Sequence, residues 1–197
     1  VSIIKHRGPD DEGYAVFNTH KKIREERYGD TSVTKKGTYV LSGSPDVFNL
    51  AFGFRRLSIL DLSVNGHQPF FNEDKSICII FNGEVYNYIE IREELKQKGY
   101  KFRTGTDTEV IMNSYIEWGE DCLSRFNGMW GIAIYDMRKN ILFCSRDRFG
   151  VKPFYYYKDD KIFVFGSELK SVIEYFKKDP SFVKKINKEI VYDYFLN

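Results

Sequence analysis

The sequence predicts an α+β protein in which two antiparallel sheets pack face to face and helices lie outside them. Short β-prone runs follow one another through tight turns, and the helical segments between them do not alternate regularly with single strands. The chain of 197 residues also carries 17 Phe and 14 Tyr, which suit the interface between two packed sheets. A chain of this length is sufficient for one domain with a hydrophobic core.

The segments before residue 70 are predicted to be mostly strands and loops. Gly8-Pro9 and the acidic residues after it form a turn, and a strand follows at 14–17. The polar, charged segment 18–38 is predicted to be an exposed loop or insertion. Apolar residues predict further strands at 51–54 and 57–60.

A run of apolar residues at Ile77–Phe81 predicts a buried strand that ends at Asn82-Gly83-Glu84. Such a strand delivers an amide, a main-chain N–H group and a carboxylate to one edge of the sheet. The first two groups can stabilise an oxyanion and the third can hold an ammonium group. The alternative is a hairpin, because Asn-Gly is the favoured two-residue turn. Both interpretations stay open on these residues alone.

Helices and hairpins make up the remainder of the chain. A helix is predicted at Tyr88–Lys98, with Gly99 as its end. The sequence Thr106-Asp107-Thr108-Glu109 is a capping box and predicts a second helix that runs to about Trp118. Further strands are predicted at 129–135, 141–145, 154–157 and 162–165, with helices at 168–176 and from 187 onward.

Composition excludes several classes of function. The net charge is +2, from 30 basic and 28 acidic residues, so no general attraction to nucleic acid is expected. No apolar run approaches the roughly 20 residues that a membrane-spanning helix needs. The 3 cysteines form no C-x-x-C pair, which argues against a disulfide framework or a zinc site. We expect a cytoplasmic protein without a metal site in this chain.

Several polar residues at the ends of predicted elements have ordinary explanations when they are taken singly. Asp107 suits the positive end of a helix dipole, Arg56 can be a surface charge, and Arg7–Asp10 can be a turn. Their order along the chain is more informative. The motifs are His-Arg-Gly-Pro-Asp-Asp-Glu-Gly at 6–13, Arg-Leu-Ser-Ile-Leu-Asp at 56–61, Gly-His-Gln-Pro at 66–69, Phe-Asn-Gly-Glu-Val-Tyr-Asn at 81–87, Thr-Gly-Thr-Asp-Thr-Glu at 104–109, Phe-Asn-Gly-Met at 126–129, Arg-Asp-Arg-Phe-Gly-Val-Lys-Pro-Phe-Tyr-Tyr at 146–156 and Ser-Glu-Leu-Lys-Ser at 167–171.

This series resembles the glutaminase domain of the glutamine-dependent asparagine synthetases, a class II glutamine amidotransferase, over nearly the whole chain. The resemblance implies the N-terminal-nucleophile hydrolase fold, a four-layer α-β-β-α sandwich of two antiparallel sheets. It implies hydrolysis of glutamine to glutamate with release of ammonia. It also implies that 1–197 is one such domain, truncated at its N-terminus, and that the ATP-dependent synthetase domain lies outside this chain. ATP and Mg²⁺ are expected in that synthetase domain, and no cofactor is expected in this one.

The resemblance assigns roles to individual residues. Arg56 matches the residue that binds the α-carboxylate of glutamine, and Glu84 and Asp107 match those that hold its α-ammonium group. The side-chain amide of Asn82 and the N–H group of Gly83 match the oxyanion hole. The main chain of Leu57, Ser58, Ile59 and Leu60 matches the wall of the pocket.

The nucleophile of the family is an N-terminal cysteine, and this chain starts with Val1. We expect the cysteine to lie upstream of Val1, so that the chain 1–197 has no glutaminase activity by itself. Cys78, Cys122 and Cys144 are expected to pack as small buried hydrophobic residues instead. His67 is expected to be structural.

The expected partners are glutamine and the synthetase domain of the same polypeptide, and a homodimer is left open. The acceptor of the ammonia stays open between aspartate and a sugar-linked carboxylate. The alternative from another class is a degenerate domain that keeps the fold and serves as a packing partner. The sequence contains the residues that match both charged ends of glutamine and the two that match the oxyanion hole. Their presence favours the enzyme, because a domain that does not bind glutamine has no chemical reason to keep them.

Overall fold

The computed structural model describes residues 1–44, 47–177 and 186–196, and the chain divides into two units, Val1–Phe154 and Tyr155–Asn197. In the first unit the strands are β1 Asp11–Asn18, β2 Ile23–Tyr28, β3 Thr38–Tyr39, β4 Leu50–Arg56, β5 Phe70–Phe71, β6 Ile77–Val85, β7 Gly128–Asp136 and β8 Ile141–Arg146. The α-helices of this unit are α1 Tyr88–Gln97, α2 Asp107–Trp118 and α3 Cys122–Arg125. The 3₁₀ segments are Ser2–Arg7, which is kinked at Ile4, and the single turns Val64–Gly66 and Gly119–Asp121.

Two four-stranded sheets form the centre of the first unit. Their strand orders are β3-β2-β1-β4 and β5-β6-β7-β8, and all neighbours are antiparallel except the short parallel pair β2 and β3. The ring of Phe17 on β1 lies 5.0 Å from that of Tyr135 on β7 and 6.2 Å from that of Phe71 on β5, measured between centroids. Aromatic side chains therefore fill the interface between the sheets, and the predicted α+β class with two antiparallel sheets is confirmed.

Helices α1 and α2 cover the outer face of the second sheet. Ile77, Ile79 and Phe81 on β6 belong to one buried cluster with Leu95 of α1 and Ile111 of α2. This cluster gives the unit the layers α-β-β, with the first sheet on the far side.

The opposite face of β6 carries Asn82 and Glu84. Successive side chains of a strand point to opposite faces, so residues 82 and 84 face away from the helix-side cluster that contains Phe81 and Val85. The alternation of β6 thus directs a polar amide and a carboxylate to the side of the first sheet.

Strand β6 does not end at Asn82, as the sequence predicted, but continues to Val85. Asn82 pairs with Gly131 and Gly83 with Trp130 on β7, so Asn82-Gly83 is not a hairpin turn and that alternative is wrong. A Cβ atom at Gly83 would overlap the Met129 carbonyl oxygen and lie 2.8 Å from Trp130 Cα. Glycine is required here because the neighbouring backbone passes close by.

The predicted loop at 18–38 contains a strand. β2 pairs with β1, from Tyr14 opposite Arg27 to Asn18 opposite Ile23, and the residues of β2 are all half-buried. The sequence Ile-Arg-Glu-Glu-Arg-Tyr has no apolar alternation, so periodicity could not reveal it. Main-chain pairing with β1 and ion pairs such as Arg27–Glu25, 2.9 Å apart, stabilise this charged strand instead.

The predicted strand at 57–60 is an irregular loop, because β4 runs through both arginines and ends at Arg56. Leu57 and Ile59 are exposed. Their apolar character indicated a strand, but among the residues that the structure describes no strand pairs with 57–60.

The other predicted elements are confirmed within a few residues. The Oγ1 atom of Thr106 accepts a hydrogen bond from the N–H group of Glu109, 3.4 Å away, and so caps α2 as the sequence indicated. The second unit contains the hairpin of β9 Tyr155–Lys158 and β10 Phe163–Gly166, then α4 Leu169–Phe176 and α5 Lys188–Leu196. Within that unit the ring of Tyr157 packs on that of Phe176, with centroids 4.6 Å apart.

Across the described ranges, no helix combines the length and the apolar character that a membrane crossing requires.

Candidate functional site

A pocket of about 180 Å³ lies where the ends of β4 and β6 meet the start of α2. All predicted site residues except Ser58 line it. The main-chain N–H group of Ser58 instead donates to Oδ2 of Asp10, 2.8 Å away. The lining residues are Arg7, Phe54, Arg55, Arg56, Leu57, Ile59, Leu60, Gly66, Gln68, Phe81, Asn82, Gly83, Glu84, Thr106, Asp107, Thr108 and Lys152.

The guanidinium group of Arg56 is buried at the end of β4 and is bound by main-chain carbonyl groups. Nη1 donates to Ser63 O at 2.9 Å, and Nη2 donates to Leu60 O at 3.3 Å and to Asp61 O. Arg56 is therefore not the surface charge that its sequence context allowed, and main-chain carbonyl dipoles surround its guanidinium group. These dipoles orient the guanidinium group but leave its charge unneutralised.

The side-chain amide of Asn82 is, with Nε of Arg55, one of two buried polar groups of the described pocket lining that lack a partner. Its Nδ2 atom is inaccessible to solvent and has no hydrogen-bond acceptor among the described residues. A buried unpaired amide costs free energy, about 1–3 kcal/mol. The resting protein therefore leaves this donor unsatisfied in a residue that lines the pocket.

The carboxylates of Asp107 and Glu84 supply negative charge to the same pocket. Asp107 is buried, and its Oδ2 atom accepts a hydrogen bond from the N–H group of Val85 at 3.1 Å, which fixes the start of α2 against the end of β6. Burial and then the nearby Glu84 raise the pKa of Asp107 to about 6, against hydrogen bonds from Val85 and Thr108 that act to lower it. A cationic ligand would favour the ionised form.

This raised pKa predicts a stability change for Asp107→Asn. The folded protein binds the proton of the Asp107 carboxyl group more tightly than the unfolded chain does. The free energy of unfolding therefore falls as pH rises above about 4, and the decrease is complete above about 6. Asparagine can still accept the Val85 hydrogen bond. We expect the free energy of unfolding to rise by about 1–3 kcal/mol at pH 8 and to be nearly unchanged near pH 4.

Denaturant unfolding of both proteins from pH 4 to pH 8 measures this difference. Asp74→Asn is a matched control, because hydrogen bonds from Ser76 lower the pKa of Asp74, so its replacement should not stabilise the protein at pH 8. Equal effects of Asp107→Asn at both ends of the range would contradict the account.

Two of the lining residues that the sequence did not identify as site residues make contacts that fix the pocket wall. Gln68 donates from Nε2 to Phe81 O, 3.2 Å away, and its Oε1 accepts from Phe81 N at 2.7 Å. The Gln68 amide thus makes both hydrogen bonds that a neighbouring strand would make to the main chain of Phe81, the residue before Asn82. Lys152 follows β8, and its N–H group donates to the buried Asp147 at 2.9 Å. Both belong to motifs quoted above, but no periodic pattern indicates that they reach the pocket.

The cysteines do not line the pocket. Cys78 and Cys122 are buried as expected, and Cys144 is half-buried. Burial raises the pKa of Cys122 and of Cys144 to about 12, and burial also raises the pKa of Cys78 well above its ordinary range. Thiols with such pKa values are poor nucleophiles at neutral pH.

His67 pairs with a buried carboxylate outside the pocket lining. Its Nδ1 atom lies 2.6 Å from Oδ2 of Asp11, and Oδ1 of Asp11 accepts from the N–H group of Val33. The expected structural role of His67 agrees with this contact, which joins the loop before β5 to β1. No group of three or more His, Cys, Asp or Glu side chains suited to a metal ion occurs in the part of the chain that the structure describes.

The chain is similar to proteins of one family. A family model described as a glutamine amidotransferase domain matches residues 35–197. A putative glutamine-hydrolysing asparagine synthetase 2 from Methanocaldococcus jannaschii is 41% identical over 98% of this chain and 34% of its own length. Glutamine-hydrolysing asparagine synthetase 1 of Bacillus subtilis is 40% identical over 87% of this chain and 22% of its own length. The chain thus spans about a third of the length of the first relative and less than a quarter of the length of the second.

A solved structure shares the fold. The glutamine phosphoribosylpyrophosphate amidotransferase from B. subtilis, complexed with ADP and GMP, aligns with a TM-score of 0.66 over 87% of this chain and 39% of that chain. Its sequence identity is 18%, so the alignment supports the N-terminal-nucleophile type of fold and nothing finer. Given the family match over most of its length, the chain belongs to the glutamine amidotransferase domain family and matches the glutaminase part of the asparagine synthetases.

Proposed function

We propose that the domain to which 1–197 belongs hydrolyses glutamine to glutamate in the cytoplasm and supplies the ammonia to an ATP-dependent synthetase domain of the same polypeptide, as in a glutamine-hydrolysing asparagine synthetase. ATP and Mg²⁺ act in that second domain. The observation that carries the proposal is the combination, in one pocket, of a buried guanidinium group, two carboxylates and an unpaired amide donor.

The opposite charges suit the two ends of an amino acid. The fork of the Arg56 guanidinium group suits the α-carboxylate, and Asp107 with Glu84 suits the α-ammonium group. The apolar residues between them, Leu57 and Ile59, offer contacts to the methylene groups of the side chain. This arrangement leaves the carboxamide to meet Asn82 and Gly83.

The carboxamide end is where the chemistry occurs. The thiol of an N-terminal cysteine attacks the amide carbon while its own α-amine takes the proton, and the carbonyl oxygen becomes an oxyanion that Asn82 Nδ2 and Gly83 N–H stabilise. The amine then gives the proton to the departing ammonia, and water hydrolyses the thioester to glutamate. An α-amine pKa of about 7.7–8.0 suits this proton transfer at neutral pH.

We assign the nucleophile to the full-length protein, upstream of Val1, since the cysteines of this chain are protonated and outside the pocket lining. The test is release of ammonia and glutamate from glutamine by the full-length protein. A Cys→Ser change at its mature N-terminus should abolish this release and preserve synthesis from added ammonia.

Two other results would overturn parts of the proposal. A full-length protein that binds no glutamine would be the degenerate packing partner. Ammonia release by the purified chain 1–197, above a control without protein, would overturn the assignment of the nucleophile.

A further inference from the structure

Two loops contribute residues to the lining of the pocket. The loop 57–66 follows Arg56, and the loop 103–106 precedes Asp107. The first loop is poorly buried, with Leu57, Ile59 and Leu62 exposed by 57%, 62% and 77%. Apolar burial therefore does not determine its conformation, and polar contacts must do so.

Asp61 organises the first loop around Arg56. Its carbonyl oxygen accepts a hydrogen bond from Arg56 Nη2, and its Oδ1 atom accepts from the N–H group of Ser63 at 3.1 Å and from the Ser63 hydroxyl. The carbonyl of Ser63 in turn accepts from Arg56 Nη1 at 2.9 Å. Asp61 thus acts on the guanidinium group directly and through Ser63.

Asp61 also reaches the second loop. Its other carboxylate oxygen, Oδ2, accepts a hydrogen bond from the N–H group of Gly105 at 3.0 Å. Gly105 stands two residues before Asp107, and Asp61 does not itself line the pocket. One side chain therefore joins the loop that holds Arg56 to the loop that presents Asp107.

The second loop is rigid enough to serve as an anchor. Arg92 donates to the carbonyl groups of Thr104 and Thr106, each at 2.9 Å. On the other side, the Glu109 carboxylate accepts from the N–H group of Thr104 at 2.8 Å. A group that binds Gly105 is consequently fixed with respect to the start of α2.

The backbone of Asp61 has an uncommon conformation, with φ of 49°. Aspartate and asparagine tolerate this left-handed region better than most residues, and such conformations persist where surrounding contacts impose them. The hydrogen bonds to Arg56, Ser63 and Gly105 provide those contacts.

We propose that Asp61 is a positioning residue that sets the spacing between the two charged ends of the substrate clamp, Arg56 and Asp107. The inference rests on the proposed function, since it assumes that these two residues bind opposite ends of glutamine. Asp61 does so without touching the substrate, and its loss should therefore affect binding more than the chemical step.

The test is steady-state glutaminase kinetics of the full-length protein with Asp61→Gly and Asp61→Asn. Glycine accepts the left-handed backbone but removes the carboxylate contacts with Ser63 and Gly105, and we expect KM for glutamine to rise about fivefold to tenfold, with kcat within about twofold. Asparagine keeps the backbone preference but offers one acceptor oxygen for two sites, so it keeps either the Ser63 or the Gly105 contact, and its KM should lie between those of wild type and Asp61→Gly.

Two comparisons separate positioning from a general loss of stability. Asp74→Gly removes a similar Asp–Ser contact, the 2.9 Å bond to Ser76 N, outside the pocket lining and should leave KM unchanged. In an Arg56→Lys background, Asp61→Gly should raise KM by a smaller factor, because residues that act through one another are not additive.

A wild-type KM for Asp61→Gly in an active protein would overturn the inference and leave the proposed function intact. An equal rise in KM for Asp61→Gly and Asp74→Gly would also overturn it. Absence of glutaminase activity in the wild-type protein would overturn both.

Discussion

Asn82→Ala in the full-length protein is expected to lower kcat for glutamine hydrolysis by about 10²–10³, as for loss of one oxyanion-hole donor. The Nδ2 atom of Asn82 is buried and has no acceptor among the described residues. It therefore gives the resting protein no hydrogen bond, and its donor is free for a negative charge that develops during reaction. KM should change less than kcat, because the ground-state amide oxygen gains less from the same donor.

The structure also predicts that this substitution has little effect on stability, since it removes an unsatisfied buried group. Asn87→Ala is a matched control. The Asn87 side chain donates to Arg125 O at 3.0 Å and accepts from Asn127 N at 2.9 Å, and Asn87 is not a lining residue, so its loss should reduce stability and spare kcat.

Glutaminase rates, rates of synthesis from added ammonia and thermal melts on both variants provide the measurement. Synthesis from ammonia should survive Asn82→Ala, because that chemistry belongs to another domain. Equal loss of glutamine-dependent and ammonia-dependent activity would show that Asn82 is structural.

Arg56→Lys is expected to raise KM for glutamine by about tenfold or more, which corresponds to about 1.4 kcal/mol of lost binding. Lysine keeps the charge but cannot reach both Ser63 O and Asp61 O while it presents two parallel donors to a carboxylate. The loss of glutamine binding therefore has two causes, a weaker contact with the α-carboxylate and the loss of the hydrogen bonds that hold the loop 57–66.

Steady-state kinetics with a thermal melt as a folding control test this expectation. Arg125→Lys is the matched variant, because its ion pair with Glu94, 2.9 Å long, lies on the exposed surface and outside the pocket lining. A folded Arg56→Lys variant with a wild-type KM would show that Arg56 does not hold the substrate.

The sequence predicted the parts of the fold that bury apolar residues periodically. The strand at Ile77–Phe81 and the helix after Thr106 were both located, since their side chains meet the same core. Strand β2 was missed because main-chain pairing and charged contacts stabilise it, and 57–60 was wrongly assigned because apolar residues there remain exposed. Local pattern cannot distinguish an exposed apolar loop from an edge strand.

Prediction from the sequence has a similar limit at the candidate site. The residues to which the resemblance assigned roles all line the pocket, with the exception of Ser58. The resemblance did not indicate how these residues are held. The amide of Gln68 beside Phe81 and the contact of Asp61 with Gly105 join positions 13 and 44 residues apart, so only the folded chain brings them together.

Equilibrium binding of glutamine and two truncated analogues tests whether one pocket holds both charged ends of the substrate. The protein is the full-length chain with its nucleophilic cysteine changed to alanine, so that no turnover occurs. Glutaric acid monoamide lacks the α-ammonium group, and 4-aminobutanamide lacks the α-carboxylate. We expect each to bind at least about tenfold more weakly than L-glutamine. Asp107→Asn should raise the Kd of glutamine and leave that of the monoamide unchanged. Binding of either analogue as tightly as glutamine would contradict the account.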